Sequence, residues 1–348
     1  MKNPIITALA SFGMSGQVFH GPSLKVNDGF KISKILERTK NLSAKNYTDS
    51  TIVRSYDEIL NDSDIELVIV NTPDHLHYDM VKQALEAGKH VVTEKPFTRT
   101  TDEALELIEL AKTKKLILTV YQNRRLDGDF LTVKKILESG MLGRMVEFES
   151  HFDRYRNFVQ ENTWKEEGDN RAGVLFNLGS HMVDQALVLF GDPKAVTAHL
   201  GVNRTGGVVT DYYDIRLHYK KFNALIKCSY LVRESGPRYT IHGTEGSFLK
   251  WGIDPQEEML KAGHLPNENN WGSEPESDWG EINTTTAGLN IKGKVETIPG
   301  NYSAFYENLY EVIRNKAKLM VKPKEALNII GILETCLKSN KERKTIKL

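Results

Sequence analysis

Ile5-Ile6-Thr7-Ala8-Leu9-Ala10-Ser11-Phe12-Gly13-Met14-Ser15-Gly16 is the stretch on which the fold turns. An apolar run of strand length stops abruptly at a turn of small residues, and the residues that follow suit a helix. Ser11, Gly13 and Gly16 have the spacing of a dinucleotide-binding turn, with serine standing in the first glycine position. Gly13 lets the backbone approach a pyrophosphate, and Gly16 allows close packing of helix on strand. Met14 and Ser15 complete the turn, and the helix N-terminus supplies amide donors and a favourable dipole. A turn that binds nothing is the plain alternative, but strand, glycines and helix fall in the required order.

Working outward, apolar runs alternate with amphipathic stretches as far as Tyr121. The strands predicted are Ile5 to Ala10, Phe30 to Leu36, Ile65 to Asn71, His90 to Thr93 and Leu116 to Tyr121. A helix over Tyr78 to Ala87 has Val81, Ala84 and Leu85 on one face and Gly88 as its left-handed stop. Thr100 and Glu103 form a capping box that opens another, with Ala104, Leu107, Ile108 and Ala111 as its stripe. This is the pattern of a parallel sheet covered by helices. After Tyr121 a helix over Phe130 to Ser139 precedes strands at Met145 to Phe152, Ala195 to Val202, Tyr212 to Tyr219 and Leu225 to Leu231. A helix at about Leu178 to Phe190 is the one interruption. Successive strands without helices imply an antiparallel or mixed sheet, so the chain divides into an α/β domain over 1–122 and an α+β domain over 123–348. The polar stretch Gly252 to Gly300 contains Trp271 and Trp279, which predicts an ordered excursion at a subunit contact. Helices at Tyr302 to Asn315 and Pro323 to Ser339 close the chain.

Two domains suit 348 residues, of which 40% are hydrophobic and 26% charged. Lysine plus arginine equals aspartate plus glutamate at 46 each, so no basic field points to nucleic acid. No apolar run is long enough for a bilayer, and no signal-peptide pattern precedes the first strand, which together read as a cytoplasmic protein. Cys228 and Cys336 lie in apolar periodic segments and read as buried thiols.

Three further groups of residues carry chemistry. At the end of the second strand, Glu37 can bond the adenosine ribose hydroxyls and favour NAD, whereas Arg38 and Thr39 facing the same place would pair a 2′-phosphate and favour NADP. The two forms stay open. Thr72, Pro73 and His77 on one loop and Glu94, Lys95 and Pro96 on the next lie past the carboxyl ends of strands, where open α/β sheets bind ligands. Pro96 admits a cis bond. His75 and His77 lack a third ligand at zinc spacing, so no metal site is expected. In the last group, Asn177, His181 and Asp184 share one side of a helix's opening turns, although His181 read alone is equally a buried core histidine.

Ser11 to Pro22, Thr72-Pro73 with His77, Glu94-Lys95-Pro96, Tyr121-Gln122-Asn123-Arg124-Arg125 and Leu178 to Asp184 together resemble the glucose-fructose oxidoreductase/inositol dehydrogenase/MocA family along essentially the whole chain. Pro237 to Gly243 and Gly252 to Glu258 look most like its NADP-dependent scyllo-inositol dehydrogenases. The resemblance implies a Rossmann domain, a second domain with a large, mainly antiparallel open sheet, and a homo-oligomer, dimer or tetramer. It also implies hydride transfer between NAD or NADP and a hydroxyl of a sugar or cyclitol. Lys95 matches the family's active-site lysine and His181 its active-site histidine. Asn123 joins the cofactor contacts, and Arg124, Arg125, Tyr155, Trp164 and Asp184 are candidate substrate contacts. Asn177 departs from the aspartate usual four residues before the histidine, and an amide orients a hydroxyl without accepting its proton. The rival readings are a sugar dehydrogenase or keto-sugar reductase, an enzyme that uses the nicotinamide transiently, and a nucleotide-binding sensor without catalysis.

Overall fold

The computed structural model describes residues 3–161, 163, 166–167 and 171–348, so Trp164 lies outside the described residues. By compactness the chain forms two units. The first comprises 1–126, 255–271 and 301–330, and the second 127–254, 272–300 and 331–348. A single boundary at 122/123 does not describe the two later returns to the first unit, which local pattern could not reveal.

The first unit is built on β1 (Ile5–Leu9), β2 (Phe30–Leu36), β3 (Thr51–Val53), β4 (Leu67–Val70), β5 (His90–Thr93) and β6 (Leu118–Val120). They make one parallel sheet in the order β3-β2-β1-β4-β5-β6. The strand order reverses between β1 and β4, the switch point beyond whose carboxyl ends such sheets bind ligands. Five of the six strands were expected, two of them with the observed bounds. β3 has three residues, too few to show a period. A π-helical turn (Gly16–His20) and α1 (Gly21–Lys25) follow β1, and α2 (Asp57–Leu60), α3 (His77–Glu86) and α4 (Thr101–Lys114) come later.

Local chemistry sets the helix ends. Thr100 Oγ1 accepts from the Glu103 amide at 3.2 Å while Glu103 Oε2 accepts from the Thr100 amide at 3.3 Å, the capping box read from the sequence. Gly88, just beyond α3, has φ +77°, the left-handed conformation that glycine adopts without steric penalty.

The second unit contains α5 (Gly128–Glu138), β7 (Met145–His151), a π-helical turn (Leu175–Gly179) and α6 (Ser180–Phe190). It continues with β8 (Ala195–Gly201), β9 (Tyr212–His218), β10 (Asn223–Ser229), β11 (Tyr239–Gly243), β12 (Gly246–Lys250), β13 (Gly280–Thr286), β14 (Leu289–Val295) and β15 (Ile346–Lys347). These strands form one sheet in the order β14-β13-β12-β11-β7-β10-β9-β8-β15, antiparallel except for the β7/β10 pair. Tyr213, Ile215 and Leu217 of β9 are buried while their neighbours along the strand are not, as the period of two requires.

The excursion over 252–300 is ordered and contributes β13 and β14, which sequence pattern alone did not resolve. Their connection is the two-residue turn Ala287-Gly288 with φ +50° and +77°. Alanine is a poor advertisement for such a turn, where Asn-Gly or Asp-Gly is the usual signal. The same stretch begins with α7 (Gln256–Lys261) in the first unit, to which α8 (Ser303–Asn315) also belongs. The last helix, α9 (Pro323–Glu342), buries Ala326, Ile329, Ile330 and Leu333 along one apolar stripe, with Leu337 on the same stripe half-buried. Among the described residues no helix is long and apolar enough to cross a membrane.

Candidate active site

In the first unit the carboxyl ends of β1, β4 and β5 are drawn together by polar ties. A Cβ on Gly16 would come within 2.7 Å of Ser11 O and 2.9 Å of Asn71 Nδ2, so only glycine lets the helix start this close to the strand. Asn71 Nδ2 donates to Ser11 O at 2.9 Å, pinning the turn to the end of β4. Gly13 differs, for a Cβ there would meet nothing nearer than Ser11 Oγ at 3.6 Å. Gly13 and Met14 are exposed, whereas the Ser15 hydroxyl turns inward to Glu94 Oε1 at 2.7 Å.

Asn71 Oδ1 and Thr72 Oγ1 are buried without a hydrogen-bond partner among the described residues. Such orphaned acceptors and donors are costly unless something fills them. Together with the open approach at Gly13 and the close packing at Gly16, they fit a dinucleotide lying across the turn.

His77, the first residue of α3, is buried with Nδ1 at 2.8 Å from Pro96 O and Nε2 at 3.0 Å from Thr72 O. It therefore braces the two loops against each other. Both ring nitrogens are thereby engaged with carbonyl oxygens of the two loops. Lys95 is half-buried and its peptide bond to Pro96 is cis.

The Lys95 amide donates to Glu94 Oε2 at 3.0 Å, and His20 Nε2 lies 3.1 Å from Glu94 Oε1. Burial alone would push the Glu94 carboxyl up. The hydrogen bond and charge of His20, the charge of Lys95 and the Ser15 hydroxyl outweigh it and hold the group at about 2.

Glu37 does not point outward at the end of β2. Its Oε2 accepts from the Leu42 amide at 2.7 Å, and its Oε1 accepts from the Ser43 amide at 2.9 Å and the Ser43 hydroxyl at 2.5 Å. Burial raises this carboxyl, but those bonds and Arg54 bring it below its ordinary value. Arg38 and Thr39 beside it are exposed.

Asn123 is buried in a single 3₁₀ turn (Asn123–Leu126). Arg124 pairs with Glu257 of α7 at 2.6 Å and Arg125 with Glu325 of α9 at 2.7 Å, so both arginines brace the later segments of their own unit.

In the second unit the segment carrying His181 begins at Gly173, whose φ of +80° and close approach to the Thr210 backbone exclude a side chain. The Val174 amide donates to Thr210 O at 2.8 Å, and the π-helical turn follows at once. Such turns re-aim side chains within a helix and recur at functional sites. From Val174 to Ala186 every residue is buried except Asn177, which is half-buried. His181 and Asp184 lie on α6, both nearly inaccessible.

That helix is fastened to the sheet. The Tyr213 hydroxyl lies 2.9 Å from Met182 Sδ, and Gln185 Oε1 accepts from the Tyr239 hydroxyl at 2.8 Å and from Arg238 Nη2 at 3.3 Å. Tyr155 stands apart, 42% exposed, with Arg233 donating to its hydroxyl at 2.7 Å. A surface groove of about 700 Å³ lined by Leu200, Val202, Leu337 and Lys341 includes none of these residues.

Sequence reasoning did not single out His20 or Tyr306. His20 lay within the quoted Ser11 to Pro22 stretch, but nothing near Tyr306 signals that its hydroxyl meets His20 Nδ1 at 2.5 Å.

Comparison with known proteins sharpens the picture. Residues 7–122 match the Gfo/Idh/MocA model described as an oxidoreductase family, NAD-binding Rossmann fold, and 134–348 match its C-terminal alpha/beta domain. The chain is 42% identical over 350 residues to the scyllo-inositol 2-dehydrogenase (NADP(+)) IolW of Bacillus subtilis (strain 168), covering 99% of this chain and 96% of that protein. An uncharacterized oxidoreductase of Schizosaccharomyces pombe, C115.03, is likewise 42% identical, over 99% of this chain and all of the other. Among solved structures, a Bacteroides fragilis protein superposes with a TM-score of 0.92 at 48% identity, over 99% of this chain and 100% of that one. An oxidoreductase of Bacillus cereus gives 0.91 at 37%, covering 99% and 98%.

Proposed function

Because the chain belongs to the Gfo/Idh/MocA family of NAD(P)-dependent oxidoreductases, we propose that it oxidises a secondary hydroxyl of a cyclitol, or reduces the matching ketone, with scyllo-inositol as the first substrate to try. The end-to-end likeness to IolW carries this reading. When bound, the nicotinamide supplies the hydride acceptor. Lys95 donates to the reacting oxygen and stabilises the negative charge that grows there as the alcohol becomes a carbonyl. His181 takes the hydroxyl proton, a task for which imidazole is suited near neutral pH. Asn177 orients the substrate through its amide, since it cannot serve as a base.

Thr72, Asn123 and the turn from Ser11 to Gly16 hold the dinucleotide. NADP is the preferred form in this reading. The Glu37 carboxylate is engaged by its own loop, and Arg38 and Thr39 remain to pair the 2′-phosphate. A homo-oligomer, dimer or tetramer, completes the proposal, with sedimentation to decide its size.

The half-buried amide at Asn177, where the family usually has a carboxylate, favours one second reading, a sugar dehydrogenase or keto-sugar reductase. A panel of cyclitols and aldoses assayed with both dinucleotides, following reduced-nicotinamide absorbance, separates the two. Scyllo-inositol turnover with NADP is expected, and Arg38→Ala should weaken NADP binding by roughly 10- to 100-fold with little effect on NAD. Dinucleotide binding without turnover of any polyol would replace this reading with that of a sensor.

A further inference from the structure

Glu94 lies next to Lys95 in sequence, yet what holds its carboxylate comes largely from elsewhere in the first unit. Its Oε1 receives the Ser15 hydroxyl at 2.7 Å and His20 Nε2 at 3.1 Å, and its Oε2 receives the Lys95 amide at 3.0 Å. A carboxylate only accepts, so Nε2 of His20 carries the proton in that contact. The other ring nitrogen, Nδ1, meets the Tyr306 hydroxyl of α8 at 2.5 Å, 286 residues further along the chain.

His20 and Tyr306 are both fully buried. The Tyr121 ring lies 4.4 Å from the His20 ring and 6.0 Å from that of Tyr306, closing this pocket against water. Of the charged and titratable groups here, His20 from the first π-helical turn and Lys95 from its own loop act on Glu94, while Glu94 and Tyr121 in turn act on the Tyr306 hydroxyl of α8.

We propose that Tyr306 and His20 are positioning residues that hold the Glu94 carboxylate in place beside Lys95, so that a helix from the far end of the chain conditions the active-site lysine. The proposal rests on the role given to Lys95 above. It follows from the geometry that Ser15 and Glu94 serve the lysine loop as well as the dinucleotide turn, since the same hydroxyl joins them.

The consequence is a pH signature. Burial opposes ionisation of Glu94, and removal of the His20 donor leaves that opposition less compensated. In His20→Leu the carboxyl should therefore rise from about 2 toward the range in which enzymes are assayed. His20→Gln, whose amide still donates, should restore most of the loss.

The test is a carbon-13 NMR titration of labelled glutamate in the dinucleotide-free protein, with Glu94→Gln identifying the resonance, beside pH profiles of kcat/KM. The wild-type Glu94 signal should stay ionised to the lowest pH at which the protein is folded. In His20→Leu it should titrate at least about one unit higher, and an acid limb displaced by the same amount should enter kcat/KM. An unchanged Glu94 titration in folded His20→Leu overturns the proposal. Should that variant not fold, Tyr306→Phe, which deletes one hydroxyl, decides it by the same criterion. The NMR arm does not depend on turnover, so failure of the dehydrogenase reading in the polyol panel is distinguishable from failure here.

Discussion

β4 and β9 bury their side chains in different ways. All four residues of β4, Leu67–Val70, are buried, whereas β9 buries Tyr213, Ile215 and Leu217, leaves Tyr212, Asp214 and His218 half-buried and exposes Arg216. A parallel strand covered on both faces can present chemistry only beyond its end, which is where Asn71, Thr72, Glu94 and Lys95 lie. A sheet with one open face can use its covered face instead. There the second unit carries α6, fastened to the sheet through Met182 and Gln185, with His181 immediately before Met182 in sequence. The lysine therefore depends on loop ties, and the histidine on helix packing.

The largest expected effect separates these two supports. Lys95→Ala should lower kcat by about a thousandfold or more while changing dinucleotide affinity by less than roughly threefold. His181→Ala should abolish or displace the pH dependence of kcat/KM. Unchanged turnover in the first variant, or an unchanged profile in the second, removes that residue from the reaction.

A second comparison lies within one turn. Gly16→Ala places a methyl against backbone and should destabilise the protein by about 1–3 kcal/mol in chemical denaturation. Gly13→Ala meets only ordinary contact and should leave stability within about 0.5 kcal/mol, its effect appearing instead as weaker dinucleotide binding in calorimetry. Equal stability losses in the two variants would contradict the geometry of the cradle.

Acid should set the two units apart more gently. In the first unit Glu94 and Glu257 are both held at about 2. For Glu257, as for Glu94, burial pushes the carboxyl up, and here the Arg124 charge and the contacts with Lys261 outweigh it. Their stabilisation is present above the unfolded carboxylate value of about 4.3 and is lost as pH falls through the folded value.

The second unit carries groups of the opposite sign. Glu274 is pushed up by burial against the pull of Lys250 and Thr297, so protonation in acid relieves it. His151 is raised by its hydrogen bond to Asp153 despite burial, with the Asp153 charge and Glu149 adding to it. Its contribution is present below the unfolded histidine value and is lost as pH rises through the folded one. Hydrogen exchange followed from neutral pH to below the ordinary carboxylate range should open segments of the first unit, including 90–98 and 255–262, before β9 and β10. The reverse order would show that these carboxylates do not govern acid unfolding.

Much was legible locally. Seven consecutive residues from Phe30 to Leu36 read as a strand because apolar positions recur along them, and the strand has those bounds. Thr100 and Glu103 declared a helix start because a capping box closes within four residues. β11 and β12 went unread although they pair with each other across the short connection Thr244-Glu245, because five residues each are too few to show a firm period. Glu37 shows the same limit within the candidate site. Its position at the end of β2 was readable, but its direction depends on the fold of the loop at 42–43.

By itself the sequence determined what repetition and spacing encode. That includes the alternation of strand and helix to Tyr121 and the glycines of the first turn, whereas the family, and with it the interest of Lys95, His181 and Asn177, came from the resemblance of whole motifs. Tertiary structure alone decided which partners those residues keep. Tyr306 reaches His20 from 286 residues away, α7 and α8 return to the first unit, and Glu37 turns inward. The physical reason is range: periodicity and capping are properties of neighbours in the chain, whereas a buried hydrogen bond is satisfied by whatever group the packed core brings within 3 Å or so.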